Sequence, residues 1–150
     1  EVSVKKNYDQ KKILKNQIEF LIQDLRQQIS SCNKNYIISH ILIENYILDD
    51  QYHENIPLDL KCNTFILQSK FICIERNFID ILKRIFLKYQ IELKKIISTK
   101  YAKTMLNSSE KNLSKAGMMV INGSNLKEVL ISSKKLTNLG FFERIFHIFS

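Results

Sequence analysis

Two neighbouring segments with different hydrophobic periods constrain the fold of this chain most strongly. Residues 65–74 form an apolar run rich in isoleucine and phenylalanine, which is typical of a strand. Directly after it, residues 77–90 place apolar side chains at helical spacing and form the most amphipathic face in the chain. A strand followed by such a helix predicts that the helix packs its apolar face on a sheet. This face consists of Phe78, Ile81, Leu82, Ile85, Phe86 and Tyr89.

The N-terminal part of the chain predicts the same alternation of strand and helix. Val2 and Val4 alternate with polar neighbours and indicate a short strand, after which Asp9 is the expected N-cap of a helix. The polar residues 30–33 are expected to end that helix. Residues 36–48 are expected to hold one or two strands. The apolar stripe of this first helix consists of Leu14, Ile18, Leu21, Ile22, Leu25 and Ile29.

Residues 49–114 supply a loop, the second helix and an expected boundary. Residues 49–59 contain the only proline, Pro57, and are predicted to be a loop in which the pair Asp49-Asp50 is exposed. Asn77 is the expected N-cap of the second helix, with Asp80 in a capping-box-like position. Farther along, residues 93–97 suggest a strand and residues 101–106 a short helix. The polar residues 107–114 mark a predicted subdomain boundary.

Beyond that boundary the sequence predicts a β-meander. Strands are expected near residues 116–122, 126–132 and 135–139, followed by an aromatic tail over residues 141–149. The full order is strand, helix, strands, helix, strand and meander. This order predicts an α+β fold rather than a doubly wound parallel sheet.

The turn between the first two meander strands is the one candidate ligand site. Small residues between strands let backbone N–H groups approach an anion, and here they are Asn122, Gly123, Ser124 and Asn125. Val120 occupies a position before this turn where a phosphate loop usually carries a carboxylate. The alternative interpretation is an ordinary tight hairpin. The sequence predicts no catalytic residue.

One stretch runs Tyr46-Ile47-Leu48-Asp49 and continues, after a short loop, as Asn55-Ile56-Pro57-Leu58-Asp59-Leu60. This stretch and a second one together resemble the bacterial cell-division protein FtsA, an actin-fold family. The family has a similar strand end followed by an Asn-Pro turn, although Ile56 and Asp59 depart from its pattern. The second stretch is residues 116–139, which is similar to the first strands of the actin-like subdomain that follows. Between the two stretches, the predicted strand–helix–strand order of residues 65–97 and the Tyr101-Ala102 pair fit the family's inserted domain.

The resemblance implies a fold and a domain division. Residues 1–106 would be an SHS2-like inserted domain, often called 1C, with two main amphipathic helices on its sheet. Residues 107–150 would be the opening of an actin-like, RNase H-like subdomain that is incomplete here, so the chain would be a fragment. Carried over to this sequence, the phosphate loop falls on Asn122, Gly123, Ser124 and Asn125, with Val120 at the position of the metal-positioning aspartate. ATP is therefore implied for the intact protein, but neither bound cofactor nor hydrolysis is expected for this fragment.

The resemblance also implies a function without enzyme activity. The family tethers FtsZ filaments to the inner membrane face, and its inserted domain contacts neighbouring subunits and later division proteins. The implied partners are FtsZ, other division proteins and further copies of the chain, in the cytoplasm and peripheral to the membrane. Membrane contact would come only through parts outside this chain. The closest alternative is the pilus-assembly actin-like ATPase, which has a similar insert.

The net charge of +8 leaves a small nucleic-acid- or lipid-binding domain as a further alternative. Only four of the 23 basic residues are arginines, and the lysines are scattered without a dense basic block. This dispersion favours solvated faces, so no nucleic-acid partner is expected. The aromatic tail over residues 141–149 could be core or could contact a bilayer surface.

Cysteine and histidine usage predicts neither disulfides nor a metal centre. The three cysteines, Cys32, Cys62 and Cys73, form no Cys-x-x-Cys pair and are expected to be reduced thiols. Cys73 lies between isoleucines in the predicted strand and is expected to be buried. His40 and His53 have no partner at the spacing of metal ligands.

Overall fold

The computed structural model describes residues 1–106 and 112–129 of the chain. The predicted third meander strand (135–139), the aromatic tail (141–149) and most of the predicted boundary segment lie outside these residues. The α+β class is confirmed, because the described residues form an antiparallel five-stranded sheet accompanied by helices. In chain order the elements are β1 Val2–Lys12, α1 Lys15–Cys32, β2 Tyr36–Leu48, β3 Gln51–His53, β4 Lys61–Glu75, α2 Arg76–Lys88, α3 Thr99–Thr104, α4 Leu113–Ile121 and β5 Glu128–Val129.

The sheet is built around the long central pair β2 and β4. β4 pairs with β1 on its other side, so that the order is β1-β4-β2, and β1 is an edge strand as far as the described residues show. The outer edge of β2 is shared: β3 pairs with one end, from Tyr46 to Leu48, and β5 pairs with Ile41 and Leu42. All of these pairings are antiparallel. Within the predicted second meander strand, residues 128–129 form β5, and residues 130–132 lie outside the described part of the chain. β5 belongs to the same sheet as the N-terminal strands.

One face of the sheet carries the hydrophobic core and is covered by α1. Cross-strand partners share a face, so the pairs Ile43–Ser69, Tyr46–Leu67 and Leu48–Phe65 all point to this side. From α1, Ile18, Ile22 and Leu25 are buried in the same cluster. Full burial of each aliphatic side chain contributes about 1.5–3 kcal/mol. The predicted stripe of the first helix is thus the face that anchors it.

The start of α1 differs from the prediction. Asp9 does not cap a helix, because β1 continues to Lys12 along β4. Asp9 and Gln10 instead take positive φ angles of 48° and 61°, at the point where the β1–β4 register shifts. The helix begins only after Leu14, whose backbone N–H donates to the Gln17 side chain at 3.2 Å. Hydrogen bonds between β1 and β4 keep Asp9 in the strand, and these long-range bonds are not visible in a local capping pattern.

The predicted loop after β2 contains a tight hairpin turn. Asp49 and Asp50 both have positive φ, 43° and 68°, and connect Leu48 directly to its partner Gln51. Both aspartates are exposed, as predicted. The Asp49 carboxylate accepts the backbone N–H groups of Asn63 and Thr64 at 2.7–3.0 Å. These bonds lower the pKa of Asp49 and tie the turn to β4.

Helix α2 packs on the sheet with only part of its apolar face. It begins at Arg76, with Glu75 rather than Asn77 at the N-cap position. Ile79 is its one buried residue, whereas Phe78, Ile81 and Ile85 are 39–50% exposed. The prediction that this face packs on the sheet is therefore wrong for its outer half. The reason is that α2 turns Ile79, which lies outside the predicted face, toward Ile37 and Ile74 of the sheet.

Two predicted strands are absent from the described part of the chain. Residues 91–98 pair with no strand among the described residues, and the Ile96 carbonyl instead accepts a hydrogen bond from the Ser39 hydroxyl at 3.0 Å. The strand predicted near residues 116–122 is helix α4 instead, which corrects the expected start of the actin-like subdomain. The Asn112 side chain caps α4 by accepting the N–H groups of Ser114 and Lys115. The subdomain boundary predicted over residues 107–114 stays a prediction. The expected short helix near 101–106 is found as α3.

The cysteines distribute differently from the prediction. Cys73 is exposed and lies in a groove beside Ile29 and Ser30 of α1, whereas Cys62 is buried in the core. No helix within residues 1–106 and 112–129 is long and apolar enough to cross a bilayer.

Candidate functional site

Four polar side chains form a hydrogen-bonded network on the sheet face opposite α1. The Glu128 carboxylate is the centre: its Oε1 lies 2.7 Å from His40 Nδ1, and its Oε2 accepts the Tyr101 hydroxyl at 2.6 Å. Asn125 Nδ2 in turn donates to the Tyr101 oxygen at 3.0 Å. His40, Tyr101 and Glu128 are at most 3% exposed. We call these four residues the Glu128 network.

Strand register brings the acidic and imidazole groups together. Glu128 on β5 lies opposite Leu42 on β2, and His40 is two residues before Leu42 on the same face. Glu128 and His40 are therefore diagonal cross-strand neighbours. The position of β5 is fixed further by the Ile43 N–H, which donates to the Lys127 carbonyl at 2.8 Å.

Helix α3 supplies the tyrosine. Its N-cap is Ser98, whose hydroxyl oxygen accepts the Tyr101 N–H at 3.4 Å. Tyr101 then points toward β2, and its ring centroid lies 4.7 Å from that of His40. Ala102 beside it is also buried. Tyr101 thus connects α3 to β2 and β5 of the sheet.

The network holds Glu128 as a carboxylate and Tyr101 as a phenol. Burial raises the pKa of Glu128, but the hydrogen bonds from His40 and Tyr101, together with the charges of His40 and Lys95, outweigh burial and leave this pKa below its ordinary value. Burial, the bond to Glu128 and its negative charge all raise the pKa of Tyr101. Because Glu128 can only accept, His40 Nδ1 carries a proton in this arrangement.

His40 Nε2 is buried and has no hydrogen-bond partner among the described residues. A carboxylate that orients an imidazole is also the arrangement of a general base. Here, however, no nucleophilic side chain contacts Nε2 in the described part of the chain, and His40 is fully enclosed. The bonds of Glu128 join three elements, because His40 belongs to β2, Glu128 to β5 and Tyr101 to α3.

A cleft of about 560 Å³ opens beside the network. Tyr101 and Asn125 form one wall, and Leu42 and Ile72 of the sheet contribute apolar surface. Both polar groups of this wall are already engaged, since Tyr101 bonds Glu128 and Asn125 bonds Tyr101. Its charged lining residues are Glu44, Lys70, Lys100 and Lys127.

The four predicted phosphate-loop residues lie at the C-terminal end of α4. Asn122 is the C-cap, and Gly123 follows with a φ of 70°. The Gly123 N–H donates to the Val120 carbonyl at 3.2 Å and the Ser124 N–H to the Met119 carbonyl at 3.0 Å, the pattern of a Schellman cap. These N–H groups are engaged by helix carbonyls, and the helix C-terminus carries negative partial charge. Nucleotide binding here stays a prediction that this geometry does not favour.

Of the predicted site residues, only Asn125 enters the Glu128 network. Its side chain accepts the Lys127 N–H at 3.0 Å while it donates to Tyr101. The sequence carried a signal for the missed residues: Glu128 stands beside Val129 in an apolar run, and His40 interrupts another. A charged residue in a buried strand requires a partner, but the neighbouring sequence does not show which residue that partner is.

No family model matches this chain, and no curated protein matches it. Within the described positions, no group of three or more histidine, cysteine, aspartate or glutamate side chains is arranged to hold a metal ion.

Proposed function

We propose that this chain is a protein-interaction and self-assembly module of the FtsA type, which helps to tether FtsZ filaments at the inner membrane face. The observation that carries the proposal is the order strand, helix, strand, strand with β1 as an edge of the sheet. This order agrees with an SHS2-like inserted domain. Pilus-assembly actin-like proteins remain the alternative family, because they have a similar insert.

Strand β1 provides the surface for a partner. It pairs only with β4 among the described residues, so the outward N–H and C=O groups of its regular part, residues 2–7, are free to pair with an added strand. Beyond Asn7 the register shift ends this regular edge. Lys5 and Lys6 are exposed there, and a partner strand with acidic residues would complement them.

The proposed function requires no catalysis by this chain. The Glu128 network is internally satisfied except at the enclosed His40 Nε2, and the Gly123 turn closes a helix.

Amide hydrogen exchange tests the proposed edge. The chain is incubated alone at rising concentration and with assembled FtsZ, and protection is measured for each segment. Strand addition predicts that amides in residues 2–7 gain protection, whereas the buried side of α1, around Ile22, is unchanged and serves as the internal control.

Two results would overturn the proposal. One is an absence of both self-association and FtsZ binding by the full chain. The other is binding that leaves β1 exchange unaltered, since the partner would then use another surface.

A further inference from the structure

Helix α2 exposes a continuous apolar stripe along its outer side. Phe78, Ile81, Ile85 and Tyr89 are spaced three or four residues apart, and each is at least 39% exposed. The stripe lies beside the inward residue Ile79, which holds the helix on the sheet. The apolar side chains Leu87 and Ile91 at the end of α2 are also exposed, at 72% and 52%. We call Phe78, Ile81, Ile85 and Tyr89 the α2 stripe.

The charges around the α2 stripe are predominantly basic. On a helical projection Arg84 and Lys88 flank the stripe on the side away from Ile79. Neither of them forms an ion pair with another described residue. Residues 76–95 contain six lysines and arginines but only two acidic residues, Asp80 and Glu92. Half of the net charge of +8 therefore lies in this segment.

These charges select among the possible occupants of the stripe. Two copies of α2 packed stripe to stripe would bring Arg84 and Lys88 of both copies close together, with Asp80 as the only acidic residue within each helix. Like charges would oppose that pairing. An anionic surface would be attracted to the same side chains.

We propose that α2 is a membrane-surface helix that lies flat on an anionic bilayer. The α2 stripe enters the boundary between headgroups and acyl chains, and Arg84 and Lys88 extend to the lipid phosphates. The 13 residues of α2 span about 20 Å, too short to cross a bilayer but suited to lying in its plane. This inference is independent of the proposed partner edge, because α2 and β1 are different surfaces. It also differs from the expectation that membrane contact lies only outside this chain.

Tryptophan fluorescence reports the insertion directly, because the chain contains no tryptophan. Phe78→Trp places a reporter on the α2 stripe, and Phe20→Trp places the matched control on α1, where Phe20 is 64% exposed. Each full-length variant is titrated with vesicles of phosphatidylcholine alone and of phosphatidylcholine with phosphatidylglycerol. The proposal predicts a blue shift for Phe78→Trp with the anionic vesicles only, and none for Phe20→Trp.

Vesicle co-sedimentation of substituted chains tests the two components separately. The double variant Ile81→Ser/Ile85→Ser should lower the affinity at least about tenfold. The double variant Arg84→Glu/Lys88→Glu should remove the preference for anionic vesicles. The controls are Phe20→Ser for the apolar change and Lys11→Glu/Lys12→Glu for the same change of charge on β1. All of these side chains are exposed or half-exposed, and circular dichroism verifies that each variant is folded.

Several outcomes would overturn the proposal. The first is binding to neutral vesicles as tight as binding to anionic ones. The second is a loss of affinity in the control variants as large as that in the α2 variants. The third is an affinity that neither α2 variant changes. Concentration-dependent dimers that Ile81→Ser/Ile85→Ser abolishes, without vesicle binding by the parent chain, would assign the stripe to a second copy. Capture of an acidic protein segment by the stripe, again without vesicle binding, would assign it to a protein partner. Failure at the β1 edge would affect the proposed function but not this inference.

Discussion

Glu128 shows how one residue can join distant parts of this chain. His40 precedes it by 88 positions and Tyr101 by 27, yet both bond its carboxylate. Hydrogen bonds to a buried charge contribute more than neutral ones, and removing one partner leaves the charge poorly satisfied. The stability that the network contributes therefore depends on individual hydrogen-bonding groups, and isosteric substitutions can remove these groups one at a time.

At Tyr101 the hydroxyl group alone can be removed. Tyr101→Phe keeps the ring beside His40 but deprives Glu128 Oε2 of its donor, so the free energy of unfolding should fall by about 1.5–3 kcal/mol. Urea denaturation measures the change. Tyr52→Phe is the control, since Tyr52 is 71% exposed, and it should change stability by less than about 0.5 kcal/mol. Equal effects of the two substitutions would contradict the role given to the hydroxyl.

The lowered pKa of Glu128 predicts a pH dependence. Above its ordinary pKa of 4.5 the Glu128 carboxylate stabilises the folded state, because the folded state binds its proton less readily than the unfolded state. That stabilisation is lost as the pH falls through the lowered value. Between about pH 7 and about pH 3, Glu128→Gln should therefore lose less unfolding free energy than the parent chain. The exposed Glu54→Gln should follow the parent curve, and a Glu128→Gln curve parallel to it would refute the assignment.

Among the elements, helix α4 shows how local signals compete. Its sequence places Ala116 and Val120 four residues apart, and both are fully buried. Asn112 caps one end, and Gly123 closes the other in the left-handed region. The same residues were compatible with a strand, a tight turn and a second strand. Capping at both ends and burial of one face favour the helix.

The two glycines near α4 should respond to alanine with opposite signs. Gly123→Ala should destabilise by about 1–2 kcal/mol, because alanine is strained at a φ of 70°. Gly117→Ala should stabilise by up to about 1 kcal/mol, since alanine is the better helix former and its Cβ would meet nothing within 4 Å. Thermal unfolding of both variants measures the signs. A stabilising Gly123→Ala would mean that this residue does not end a helix.

At the scale of the whole molecule, the distribution of charge matters more than its sum. The lysines of β1, of the cleft and of α2 lie on separate elements, and among the described residues it is the segment around α2 that combines basic charge with an exposed apolar stripe. Nucleic-acid binding requires basic groups that follow a phosphate backbone. A bilayer surface requires instead an apolar stripe with basic flanks.

Mixed-sequence DNA and RNA should therefore bind weakly and lose binding as salt rises. A titration at low salt and at about 150 mM salt measures this, because the Debye length there is about 8 Å and dispersed charges are screened. The Lys11→Glu/Lys12→Glu and Arg84→Glu/Lys88→Glu variants should weaken the low-salt binding to a similar extent. Saturable sub-micromolar binding that persists at about 150 mM would establish a nucleic-acid site instead.

Some features of this fold follow from local sequence patterns, and others follow only from the pairing of distant strands. The sequence by itself determined the α+β class, the strand over residues 65–74 and the stripe of α1, because each follows from a hydrophobic pattern. It also predicted the short helix near Tyr101. Three features were decided only by the tertiary structure. β1 continues past Asp9 instead of giving way to a helix, the outer face of α2 is exposed, and Glu128 forms a hydrogen bond with His40. Of the predicted site, Asn125 alone reached the network. These outcomes depend on strand register and on contacts between distant residues, and neither is visible in the local order of side chains.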